Sequence, residues 1–248
     1  MTDAVVPPSF RLAYVPGVTP TKWIRIWNER IPDVPLTLIA LSAADAPAAL
    51  RRGEADAGLV RLPIDRTGLS AIPLYAETPV VVIPQDHVVA AVDEVSADDL
   101  ADDVALHPLD DTLEWDELPG LRATERPATT ADAIELVAAG VGVVIVPQSL
   151  ARLHHRKDLT FRPVTDGPES RIALSWPEDR TTELVEEFIG IVRGRTVNSS
   201  RGRAQAEPVK KKRPAAGATR QQRTSGAENT RAGSGKRGGA RGKPRRRS

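Results

Sequence analysis

Two short runs, Lys210, Lys211, Lys212 and Arg213, then Arg245, Arg246 and Arg247, concentrate positive charge near the end of the chain. With Lys236, Arg237, Arg241 and Lys243 among glycines between them, these side chains suit contact with phosphates. Such contacts release counterions and give a salt-sensitive affinity for nucleic acid that is indifferent to sequence. No aromatic residue is interspersed, so the runs lack a platform on which bases could stack. Bond-making chemistry has weaker candidates. Zero cysteines exclude disulfides and thiolate nucleophiles. His154 and His155 have no partner at metal-ligand spacing and read as surface residues. No Ser, His and Asp order marks a nucleophile, and Asp102 and Asp103 fall in a polar loop. Gly140 and Gly142 follow a helical pattern, which is not the context of a dinucleotide-binding turn. The expectation is a protein that is not an enzyme and needs neither metal nor cofactor.

These residue types are segregated by charge. Residues 1–198 carry 18 Lys/Arg against 31 Asp/Glu, a balance of −13, while residues 199–248 carry 16 against 2, a balance of +14, and the formal net charge of +1 conceals both. The 4 Trp, 2 Tyr and 3 Phe all precede the basic part, whose one large aliphatic residue is Val209. So little apolar surface cannot offset roughly 1–2 kcal/mol of backbone entropy per residue, so 199–248 is expected to be a disordered basic tail. It would attach the protein to nucleic acid, fold back on the acidic part, or serve solubility alone. The acidic part is long enough for one large or two small domains and has no apolar stretch of membrane-spanning length. Met1 to Ser9 lacks the basic, apolar and small-residue regions of a secretory signal. A cytoplasmic protein with no membrane partner is expected.

The elements that would position a site alternate between strand and helix. Phe10 to Val15 reads as a strand, Thr19, Pro20 and Thr21 as a helix start with Pro near the first helical position, and Trp23, Ile26, Trp27 and Ile31 as the helix's apolar stripe. Leu36 to Leu41 is a second strand. Asp45 is placed to cap a short helix ending at Arg52, with Gly53 just beyond it, and Ala57 to Val60 is a third strand. The apolar run Ile72 to Ile83, interrupted by Pro79, leads through Pro84 to His87 into an acidic crossover. Val104 to His107 opens a second such pattern. Thr129 or Thr130 caps a helix that Gly140 ends, Val141 to Val146 is a buried strand, and Gln148 to Leu153 is a helical turn. Leu159 to Val164 and Ile172 to Trp176 return as strands before a last helix, Thr182 to Arg193. The alternation predicts an α/β architecture with mostly parallel sheets in two similar lobes, and a ligand cleft between them.

Phe10 to Val15, Ile31 to Val34, Leu50 to Arg61, Thr78 to His87 and Leu136 to Pro147, in this order and spacing, resemble the effector-binding domain of LysR-type transcriptional regulators, a two-lobed type 2 periplasmic-binding-protein fold. The resemblance covers Phe10 to Arg193. It implies an effector domain over 10–195, with a first lobe of about 10–83 and 165–195 and a second of about 84–164. Only nine residues precede the first strand, so the family's N-terminal winged helix-turn-helix is expected to be missing. The resemblance places a small carboxylate effector at the start of the first helix, on Gly17, Val18, Thr19 and Thr21, with Thr19 alternatively a plain cap. It aligns Ala43 with a polar contact, leaving Ser42 adjacent. It sets Arg61 to grip the carboxylate or to form a structural salt bridge, and His107 and Thr130 to close from the second lobe. It further implies a homodimer in which the first helix, through Trp23 or Trp27, meets a partner's second lobe, unless those residues pack on their own sheet. The function expected is sensing of an aromatic or aliphatic acid in transcriptional regulation. The alternative is a nucleic-acid-associated or assembly protein whose ligand domain serves only protein contacts.

Overall fold

The computed structural model describes residues 8–195. The first strand, β1 (Phe10–Tyr14), buries Phe10 and Leu12 and turns Arg11 outward to an ion pair with Asp56 at 2.7 Å. Helix α1 (Thr21–Arg30) returns the chain to β2 (Leu36–Ala40), and α2 (Ala46–Arg52) returns it to β3 (Ala57–Leu62). Both crossovers leave their strands parallel to β1. After β4 (Leu69–Glu77), Thr78 carries the chain into the second lobe, where β5 (Pro79–Pro84), β6 (Val104–Leu106), β7 (Leu121–Arg122), β8 (Val143–Pro147) and β9 (Leu159–Pro163) form the second sheet. The chain then comes back through β10 (Ser170–Pro177). The sheet orders are β2-β1-β3-β10-β4 and β7-β6-β8-β5-β9.

Two sequence expectations change here. The sheets are mixed rather than mostly parallel: each has two parallel pairings and two antiparallel ones. The strands that cross between lobes, β5 and β10, cause this, because they enter their sheets against the direction set by the helical crossovers. The boundary drawn after residue 83 also moves, since β5 lies inside the second sheet between β8 and β9. Its run Val80, Val81, Val82 and Ile83 is buried on both faces, which requires a neighbour on each side and cover above and below.

Helix starts are set by local chemistry. Helix α3 (Thr130–Ala138) begins with a capping box in which the Thr129 hydroxyl accepts from the Asp132 N–H and the Asp132 carboxylate accepts from the Thr129 N–H. Thr182 caps α5 (Glu183–Val192) in the same way from one side. At α1 the cap position is Pro20, and the Thr19 side chain caps nothing. Asp45 precedes α2 without capping it; its carboxylate instead accepts from the Ser42 hydroxyl at 2.6 Å. Gly53, at φ 75, closes α2 in the left-handed conformation that a side chain would strain.

The first lobe's core centres on three aromatic rings. Phe10 stacks on Trp27 with centroids 4.6 Å apart, and Phe188 of α5 lies 5.2 Å from Phe10. Trp27 is fully buried and its indole N–H donates to the Val34 carbonyl at 2.8 Å. It therefore serves its own sheet and is unavailable as a contact to another protomer. In the second lobe Ala133, Ile134 and Val137 of α3 pack on Val80, Val144 and Val146. Among the described residues no helix is long and apolar enough to cross a membrane.

Candidate functional site

A cavity of about 660 Å³ opens between the lobes at the carboxyl ends of β1 and β2. From the first lobe it is lined by the loop after β1, Pro16 to Thr19, together with Tyr14, and by Ala40, Leu41 and Ser42 after β2. Parallel strands whose neighbours' crossovers leave in opposite directions create such a crevice at their carboxyl ends. The opposite wall is α4 (Gln148–Leu153), which follows β8 and presents Ser149, Arg152 and Leu153.

The lining is mostly apolar, through Tyr14, Val18, Leu41 and Leu153, and Arg152 is its one charged member. Among the described residues no hydrogen bond or ion pair engages the Arg152 guanidinium, which is exposed. The hydroxyls of Ser42 and Ser149 are already engaged, Ser42 with Asp45 and Ser149 with Arg61 and Glu77. The first turn of α1 lies just beyond Thr19, and its unpaired N–H groups and dipole add positive potential near the opening. A cation beside apolar side chains is an arrangement that could pair with an anionic group while covering an apolar body.

Of the residues singled out in the sequence, Gly17, Val18, Thr19 and Ser42 line this cavity, while Thr21 sits on the exposed start of α1 outside it. Arg61 does not line it. Arg61 is 4% exposed, and its guanidinium makes four hydrogen bonds, to Glu77 at 2.7 Å, the Ser170 hydroxyl at 2.7 Å, the Pro16 carbonyl at 3.1 Å and the Ser149 hydroxyl at 3.0 Å. The structural salt bridge is thus the role it fills: four of the five guanidinium N–H groups are engaged by these partners. His107 and Thr130 lie elsewhere in the second lobe. His107 faces Asp111 at 3.2 Å, and its carbonyl accepts from Arg126. Thr130 is buried, with its N–H and hydroxyl both donating to Asp110, at 2.7 and 2.9 Å. Burial pushes the Asp111 carboxyl above the usual aspartate value, against the opposing influence of the Leu113 N–H and His107.

Ser149, Arg152 and Leu153 were not anticipated. The sequence did place a helical turn at Gln148 to Leu153, directly after a buried strand, and a helix at the carboxyl end of a strand is where a ligand wall forms. The basic residues Lys210 to Arg213, Lys236, Arg237 and Arg245 to Arg247 lie outside the described residues.

A two-lobed α/β domain with a crossing hinge and an interlobe cavity defines a ligand-binding class, and comparison with known proteins specifies it. Residues 7–196 match the LysR substrate binding domain, and the chain belongs to that family. It is 37% identical over 144 residues to a probable hydrogen peroxide-inducible genes activator of Mycobacterium avium, covering 54% of this chain and 46% of that protein. Against the Hca operon transcriptional activator HcaR of Escherichia coli (strain K12) it is 27% identical over 200 residues, covering 76% of this chain and 65% of that protein. The match thus spans about half to two thirds of these relatives' length. Among solved structures, the BenM effector binding domain with its effector benzoate superposes with a TM-score of 0.63 at 21% identity, over 76% of this chain and 92% of that one. The oxidized form of OxyR gives 0.62 at 21% identity, over 75% and 92%. These structures share the type 2 periplasmic-binding-like fold. The named relatives are transcriptional regulators.

Proposed function

We propose that this chain is the sensing part of a cytoplasmic transcriptional regulator, and that its interlobe cavity binds a small monoanionic organic acid, aromatic or aliphatic, as effector. The observation that carries the reading is Arg152, a cation without a partner among the described residues in an otherwise uncharged, mainly apolar cavity. Arg152 would hold the carboxylate, Gly17, Val18, Thr19 and Ser42 would form the facing wall, and Leu41 and Leu153 would cover the body. Benzoate is the effector named for BenM, and it has this chemistry. Peroxide induction, in the name of the Mycobacterium avium relative, would need an oxidisable group in the sensor. This chain has no cysteine and one methionine, Met1, which favours occupancy of the cavity over sulfur oxidation as the signal.

Thermal unfolding with benzoate and aliphatic acids tests the reading. A ligand at a hundred times its Kd stabilises the native state by about 2.7 kcal/mol, which is roughly 5–10 °C in a domain of this size. Arg152→Ala is expected to abolish that shift; a shift of unchanged size in the variant would refute the assignment of Arg152. Lys210 to Arg213, Lys236, Arg237 and Arg245 to Arg247 would add non-specific attachment to nucleic acid. Retention on DNA should fall steeply with salt for the full chain and be lost on truncation after Asn198; equal retention of both refutes the attachment. A homodimer through α1 would use Trp23, which is half-buried, and not Trp27.

A further inference from the structure

One guanidinium in this structure holds both walls of the cavity. Arg61, on β3 of the first lobe, donates to the Pro16 carbonyl on one wall and to the Ser149 hydroxyl on the other. Its counter-ion, Glu77, is the last residue of β4 before the crossing at Thr78, and the ion pair is buried, with side chains 3% and 10% exposed. Ser149 closes a triangle with this pair: its hydroxyl accepts from Arg61 at 3.0 Å and donates to Glu77 at 2.9 Å. A hydroxyl oxygen can do both at once, which an ammonium at the same point could not. The N-terminal end of α4 is also tied to the crossing, because the Gln148 N–H donates to the Thr78 carbonyl at 3.1 Å. Ser149 and Arg152 stand three residues apart on α4, and so on one face of it.

We propose that Ser149 is a positioning residue: clamped by Arg61 and Glu77, it fixes the rotation of α4 against the Pro16 to Thr19 loop and thereby places Arg152 at the mouth of the cavity. The proposal rests on the carboxylate reading only in what Arg152 is for; the clamp itself is a matter of the free protein. Gly17 belongs to the same arrangement. It adopts φ 86, and a Cβ there would run into the Ser149 hydroxyl and press on the Arg61 guanidinium, so glycine is what lets the two walls approach this closely. Moving the lobes apart must break both bonds of Ser149 but neither of the Arg61 bonds to Glu77 and Ser170, which stay within the first lobe's strands. The lobes can therefore open without stranding a buried charge, and the serine hydroxyl is the part that is made and broken.

Ser149→Ala removes the hydroxyl and leaves Arg61 paired with Glu77, so it separates positioning from stability. Amide hydrogen exchange of the ligand-free protein is expected to quicken about tenfold, the factor that ~1.4 kcal/mol represents, at Leu150 to Leu153 and at Gly17 to Thr19. The melting midpoint should fall by only about 3–6 °C, the equivalent of the same ~1.4 kcal/mol in a domain of this size. Wild-type exchange rates at both segments would overturn the proposal, as would faster exchange spread evenly over the second lobe. If Ser149→Ala does not fold, Ser149→Cys keeps the volume while weakening the bonds, and the same two segments are read. Benzoate added to the wild-type protein tests the carboxylate reading separately: protection of α4 supports it, and no protection counts against it while leaving the Ser149 result to stand by itself.

Discussion

Replacing Arg61 with alanine should unfold this protein at a much lower temperature, and the reason is the carboxylate left behind. Arg61 is 4% exposed and the Glu77 side chain 10% exposed. Without the guanidinium, Glu77 keeps one hydrogen bond, from Ser149 at 2.9 Å, and loses the cation that stood 2.7 Å away. The Pro16 carbonyl and the Ser170 hydroxyl lose their donor as well. Breaking a buried ion pair on one side costs about 3–5 kcal/mol, most of it the uncompensated charge. At about 2–4 °C per kcal/mol for a domain of this size, the melting midpoint should fall by roughly 6–20 °C. The double variant Arg61→Met with Glu77→Gln carries no stranded charge and should recover much of that loss, because an apolar or neutral replacement of the whole pair is close to neutral. Thermal and urea unfolding at neutral pH measure both proteins. If Arg61→Ala melts within about 2 °C of the wild-type protein, or if the double variant is the less stable of the two, the burial argument fails. Arg61 would then have to be reconsidered as a residue that meets the ligand.

Two further outcomes concern the second lobe. Burial raises the Asp111 carboxyl above its ordinary 3.8, so the folded state holds that proton more tightly than the unfolded one. The associated stability is present at acid pH and is lost as pH rises from the ordinary aspartate range through the raised folded value. Asp111→Asn, which can still accept from the Leu113 N–H, should flatten this part of the stability-pH curve and raise the melting midpoint at pH 7; a lower midpoint there would contradict it. At Gly142 a Cβ would collide with the Val104 carbonyl of the neighbouring β6, and main chain cannot move aside as a side chain can. Gly142→Ala should therefore cost about 1–3 kcal/mol, and an unchanged midpoint would show that the strand end yields more easily than the packing implies.

Much of the local structure was legible from residue types. Thr129 or Thr130 marks a helix start, Gly53 and Gly140 mark helix ends, and the apolar runs within Ile72 to Ile83 and Val141 to Val146 mark strands, because caps, left-handed turns and apolar periodicity act over a few residues. Together, in their order and spacing, the segments Phe10 to Val15, Ile31 to Val34, Leu50 to Arg61, Thr78 to His87 and Leu136 to Pro147 pointed to the family. What they left open was who meets whom. Pro79 to Pro84 reads as a strand in either lobe, and its membership was decided by the antiparallel partners β8 and β9, at residues 143–147 and 159–163. Trp27 and Trp23 share one helical stripe, yet only Trp27 meets Phe10 and Phe188 in the core. Arg61 and Arg152 are the same residue type on opposite sides of one cleft. The chain by itself determined that both are cations near strand ends. Tertiary structure alone brought Glu77, Ser170, Pro16 and Ser149 around the first and left the second free of partners among the described residues. A charge is spent or available according to what folding places within about 3 Å of it, and those neighbours come from as far as 109 positions along the chain.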